Sequence, residues 1–145
     1  MMKTALFAIV GMFCVAPAWA SSIDVNFEVG TTLKCHSAKP DRQLYVTVGR
    51  VETHTDGLIV ASVSIFNRSP KPGLPEVAHA PIDINVLAAS CPAQAASIPL
   101  SPYFEDGYRE WRNAKGRVFN VSVDRIYDAV VDQVAKTRQG GQGAQ

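Results

Sequence analysis

The chain is short of the features that name a reaction at sight. It has three cysteines and three histidines, and these do not form the closely spaced pairs from which structural zinc sites draw their ligands. Cys35 and His36 are adjacent, but His54, His79 and Cys91 are scattered. No metal centre and no other cofactor is expected. A Cys-His nucleophile needs a free, activated thiolate, and an exported cysteine is more readily accounted for as half of a disulfide. There is no Gly-x-Ser-x-Gly elbow to single out a catalytic serine. The glycines form no phosphate cradle between a strand and a helix; they cluster at Gly140, Gly141 and Gly143, near the C-terminal end. Paired carboxylates at Glu105–Asp106 and Asp128/Asp132 read as a helix start and a wet helix face rather than a glycosidase pair. Two Asn-x-Ser matches, at Asn67 and Asn120, read as chance.

Charge of one sign is lacking too. The formal net charge is +1, from 14 basic and 13 acidic residues, and without Lys3 the two signs balance. Neutrality removes the electrostatic reason to expect nucleic acid or an anionic membrane as partner. Beyond residue 20 no run is apolar enough to span a bilayer.

The first twenty residues are the most informative part of what is there. Met1–Met2–Lys3 is a short positive start, Ala5 to Ala16 is apolar, and Ala18–Trp19–Ala20 has the small-x-small form of a signal-peptidase site. The apolar stretch is too short for a spanning helix, and the residue before Cys14 is Phe13, not the small residue a lipidation site needs. Residues 1–20 are therefore expected to be a cleaved secretory signal, placing the chain from Ser21 in the periplasm or outside the cell. Two cysteines follow the signal, Cys35 and Cys91, and in an oxidising compartment they are expected to form one disulfide.

Hydrophobic periodicity supplies the elements. Ile23, Val25, Phe27 and Val29 alternate with polar residues, as a half-buried strand would. A second short strand is expected over 31–37 and a longer one over 43–53, where Gly49 marks a bulge or a close backbone approach. His54–Thr55–Asp56–Gly57 reads as the connection of a hairpin whose second strand covers 58–66. Prolines at 70, 72, 75 and 81 make 67–81 irregular. Over 83–91 the strand and helix periods compete; the alanines favour a short helix capped by Asp83. A loop is expected over 92–101. Ser101–Pro102 then reads as the start of a helix whose face is Phe104, Tyr108 and Trp111, with Glu105 and Arg109 spaced to pair. Gly116 ends it, Arg117 to Val123 alternates as a strand, and Asp124 caps a last helix with the stripe Ile126, Tyr127, Val130, Val131 and Val134. Its outer face spaces Asp132 and Lys136 to pair.

The expectation is an α+β fold, an antiparallel sheet of about four to five strands with two or three packed helices and one disulfide. The organisation is a signal over 1–20, one domain over 21–138 and a disordered tail over 139–145. With no convergent catalytic set, the chain reads as a small exported non-catalytic interaction protein: an inhibitor, an immunity-type protein or an accessory of an envelope assembly. A periplasmic carrier of a small ligand or metal is the alternative, and a small hydrolase a more distant one. The expected partner is another exported or envelope protein. Tyr103, Arg109 and Arg112 lie off the buried face of the aromatic helix, and Arg68 opens the proline-rich loop; Tyr and Arg are the residue types that concentrate binding energy, so these four are the candidate contact residues.

Overall fold

The computed structural model describes residues 27–142. The expected signal, residues 23–26 of the first expected strand and residues 143–145 of the expected tail lie outside the described residues.

The fold is α+β. Five antiparallel strands, β1 (Thr32–Lys34), β2 (Leu44–Thr53), β3 (Ile59–Asn67), β4 (Val77–Asp83) and β5 (Ala93–Gln94), lie in the order β4-β3-β2-β1-β5. The first four form a meander. Helix α1 (Ile84–Ser90) then returns the chain to the far edge, where β5 pairs with β1. Helices α2 (Phe104–Asn113) and α3 (Val123–Gln142) follow.

The two faces of the sheet differ in chemistry. On one, Leu33, Val46, Val63 and Ile82 pack with Leu87 of α1 and with Ile126 and Tyr127 of α3 in a single buried cluster. The other buries hydroxyls, Thr32, Thr47, Ser62 and Ser64, and each is satisfied. Thr47 Oγ1 donates to the Ile98 carbonyl at 2.8 Å, Ser64 Oγ donates to Ala78 O at 2.8 Å, and Ile98 N donates to Thr32 Oγ1 at 2.9 Å. Helix α2 covers this second face.

Gly49 satisfies both readings of its position. The β2–β3 register shifts between Val48 and Arg50, the mark of a bulge. A Cβ at Gly49 would also lie 2.6 and 2.7 Å from Phe104 Cε1 and Cε2. The extra residue reverses the alternation, so Val48 points to the apolar core whereas Arg50 and Glu52 come to the α2 face, level with Ser62 and Val60.

The disulfide joins Cys35, just after β1, to Cys91, the residue that ends α1, 56 positions apart. A second tie holds the start of α3. The Arg42 side chain is only 7% exposed, and its Nη1 reaches Asp124 at 2.9 Å and Asp128 at 2.6 Å. Asp124 also accepts from Ser37 Oγ at 2.7 Å and from Ala38 N at 2.9 Å. Burial pushes its carboxyl pKa up, but these donors outweigh burial and hold it below the ordinary 3.8.

Several expectations are corrected. The stretch over 27–30 is not a strand: Val29 and Gly30 form a turn in which Thr31 N donates to Glu28 O at 3.0 Å, with Gly30 at φ +92°. The last residues of the irregular stretch are strand β4, which tolerates Pro81 because it is an edge strand. The expected loop over 92–101 contains the two residues of β5. Helix α2 begins at Phe104, with Ser101 accepting from Tyr103 N and Phe104 N in the turn before it. Glu105 pairs with Arg50 at 3.1 Å, and Arg109 approaches Asp106 at 3.7 Å, instead of pairing with each other. Within the expected strand 117–123 a single residue, Phe119, makes a bridge, parallel to Ile82. Asp124 lies inside α3, while Ser122 Oγ accepts from Arg125 N at 3.4 Å and takes the capping place. Helix α3 runs through Gln142, so residues 139–142 are helical where composition predicted tail.

Candidate functional site

Helix α2 is the element that gathers polar and aromatic side chains. It sits close to the sheet because two glycines allow it. Gly49 lies under the Phe104 ring, and a Cβ on Gly107 would lie 2.7 Å from His79 Cβ. The inner face predicted from spacing is the face that docks: Phe104 is 2% and Tyr108 9% exposed. Trp111, the third member, is half-buried.

His79 of β4 stands at the centre of this seam. Its ring meets Phe104 and Tyr108 edge-on, with centroids at 5.5 and 5.7 Å, and Trp111 at 5.5 Å. Its Nε2 is 3.0 Å from Ser62 Oγ, a partnership spanning two strands. Burial lowers its pKa from 6.5 to about 4, although Glu105 and Glu52 favour the charged ring. His79 is thus a neutral imidazole at neutral pH, held by a hydroxyl of the neighbouring strand and flanked by three aromatic rings of α2.

Toward the hairpin, Glu52 collects the polar contacts. Its Oε1 accepts a short hydrogen bond from Tyr108 Oη, and Arg112 Nη1 lies 3.4 Å from both carboxylate oxygens and 3.2 Å from Tyr108 Oη. The Arg50 guanidinium stacks 4.3 Å from the Tyr108 ring centroid and pairs with Glu105. Burial first, then the bond to Glu52, raise the Tyr108 pKa above its ordinary 10.0. Two arginines face two glutamates here, so this array fastens the helix to the sheet and leaves no unbalanced charge. The bulge at Gly49 makes it, by bringing Arg50 and Glu52 to the α2 face.

On the opposite flank of α2 a cleft of about 560 Å³ opens between β4, the C-terminal half of the helix and residues 116–119. A second hollow of about 480 Å³, lined by His36, Asn85, Val86, Ser90 and Asp124, lies beside the disulfide. Among the described residues no group of three or more His, Cys, Asp and Glu side chains is placed to hold a metal.

The four candidate contact residues do not form one patch. Tyr103 is 68% exposed at the start of α2, and the Arg109 and Arg112 side chains are 69% and 58% exposed along it. Arg68 follows the other end of β3, away from the hairpin that Arg112 approaches, with its guanidinium 5.9 Å from the Phe66 ring centroid. Sequence reasoning did not find the His79–Ser62 pair, the Glu52 array or the cleft. Each joins residues far apart in the chain, and the one local signal was the bulge at Gly49. Compared with protein-family models, with curated proteins and with solved structures, the chain matches none.

Proposed function

We propose that this is an exported, non-catalytic protein that works by binding another exported or envelope protein through the outward face of α2. The observation that carries the reading is the contrast between the two sides of that helix. Its inner side is locked by Phe104, Tyr108 and two glycine approaches, while Tyr103 and Arg109 project into solvent. A backbone that is already fixed adds no ordering cost of its own on binding, and Tyr and Arg are enriched where binding energy concentrates. Arg112 contributes less, because Glu52 already holds its head. The bonded Cys35–Cys91 pair supports an oxidising compartment, periplasmic or secreted.

The test is site-specific photocrosslinking in cells, with the probe at Tyr103 or Arg109 and a control probe at Gln133 on the exposed side of α3. A discrete adduct from the α2 positions, absent from the control and weakened by Tyr103→Ala when the probe is at Arg109, is the expected result. No adduct, or the same adducts from Gln133, overturns the reading.

A further inference from the structure

The cleft beside β4 opens where a parallel pairing stops. Phe119 lies against the outer edge of β4 in parallel register: its N–H donates to Pro81 O at 2.8 Å, and its carbonyl accepts from Asp83 N at 3.0 Å. The next rung toward Arg117 would need an N–H at residue 81, and proline has none. The Arg117 carbonyl instead accepts from Trp111 Nε1 at 3.2 Å. Residues 116–118 therefore lead away to α2, and the part of β4 before Pro81 faces the resulting opening.

We propose that this cleft is a groove for an extended segment of another protein, one that alternates apolar side chains with lysine or arginine. The lining supports the apolar half of that pattern. Val77, Pro81, Trp111, Ala114, Phe119 and Val130 border it, and Phe119 keeps 41% of its surface exposed. The rim supports the basic half. Glu76 and Glu110 are exposed acids on the cleft, neither in an ion pair among the described residues, and of the two basic side chains that line it Arg117 is cationic whereas His79 is neutral. An extended chain alternates its side chains between two faces, so apolar residues enter the cleft as basic ones reach its rim. Open sheet edges recognise partners in this way, and the volume is within the range of ordinary ligand sites. This surface is distinct from the outward face of α2, and either assignment stands if the other fails.

Trp111 provides the readout. Trp19 is the other tryptophan of the chain, so in the full chain carrying Trp19→Phe the indole emission reports on the cleft. The probes are an acetylated, amidated peptide alternating valine with lysine and its counterpart alternating valine with glutamate. The lysine peptide is expected to change Trp111 emission saturably and to bind about tenfold or more tightly than the glutamate peptide. In the double variant Glu76→Lys, Glu110→Lys the preference reverses, while the melting temperature stays that of the parent because both positions are exposed. No saturable change with either peptide, equal affinity for both, or an unchanged preference in the double variant overturns the proposal.

Discussion

Gly107 has no side chain where α2 crosses β4, and the atom that a Cβ there would strike belongs to His79 close to its backbone, which has little freedom to move. Gly107→Ala therefore sets two effects against each other. Alanine favours the helix by about 1 kcal/mol, whereas overpacking a fitted contact costs about 1–3 kcal/mol. We expect a net loss, read as a lower urea midpoint, although alanine is the better helix former; a gain in stability would show that α2 is less tightly seated. His79 makes a second prediction at this scale. Its ring titrates at about 4 in the fold against 6.5 unfolded. Between those values the unfolded chain binds more protons, so stability rises with pH across the window and is lost as pH falls from 6.5 to 4. The ring is partly exposed, so the loss is on the order of 1–2 kcal/mol rather than the full linkage value. Urea titrations at pH 7 and pH 4.5 are expected to differ by that amount in the parent and much less in His79→Gln. Below pH 4 a further decline persists in both, because Asp124 and Asp128 are held below their ordinary pKa of 3.8 and lose their stabilising contacts on protonation.

Among the elements, α3 is held at its start by a residue distant in the sequence. Arg42→Met removes the guanidinium that bridges Asp124 and Asp128. Lys39, 3.0 Å from Asp128, still serves that acid, but Asp124 keeps only its neutral donors. The expected cost is about 2–3 kcal/mol, below that of breaking a fully buried pair, and amide hydrogen exchange should quicken first in the opening turns of α3. Protection unchanged there would mean that Ser37 and Ala38 suffice. Elements set by local pattern were legible in the sequence: the Asp56–Gly57 turn, with Gly57 at φ +84°, the bulge at Gly49, the buried face of α2 and the Ile126–Tyr127 stripe. Those set by a remote partner were not. Pro81 obscured strand β4, because its compatibility with an edge depends on which way its nitrogen points. The same proline cut the ladder to Phe119, so an alternating segment that reads as a strand pairs once. Asp124 has the residue type of a cap, but Arg42, distant in sequence, claims it. The candidate site was legible only as exposed residues on α2; its seat on His79 and Glu52 arises from strand pairing.

For the molecule as a whole, the Cys35–Cys91 bond is the covalent constraint on the unfolded chain. The chain-entropy estimate for a loop of 56 residues is about 4 kcal/mol. Reductant is therefore expected to lower the parent's melting temperature by several degrees and to leave the Cys35→Ser, Cys91→Ser double variant unmoved at its own lower value. Equal melting of parent and variant without reductant would show the bond to be idle. Removing 139–145 should change neither, since residues 139–141 are exposed along α3.

The bond also decides what a break in the chain does. Strands β2, β3 and β4 and helix α1 lie between the two cysteines, with β1 just outside the span, so one peptide cleavage anywhere between Cys35 and Cys91 leaves both pieces covalently joined. A protease that nicks the exposed connection after Arg68 would release nothing. The nicked protein would migrate as an intact chain on a gel run without thiol and separate into two fragments with it. The loop between β3 and β4 is accordingly a place where the backbone can be opened, or given new ends, while the molecule stays in one piece.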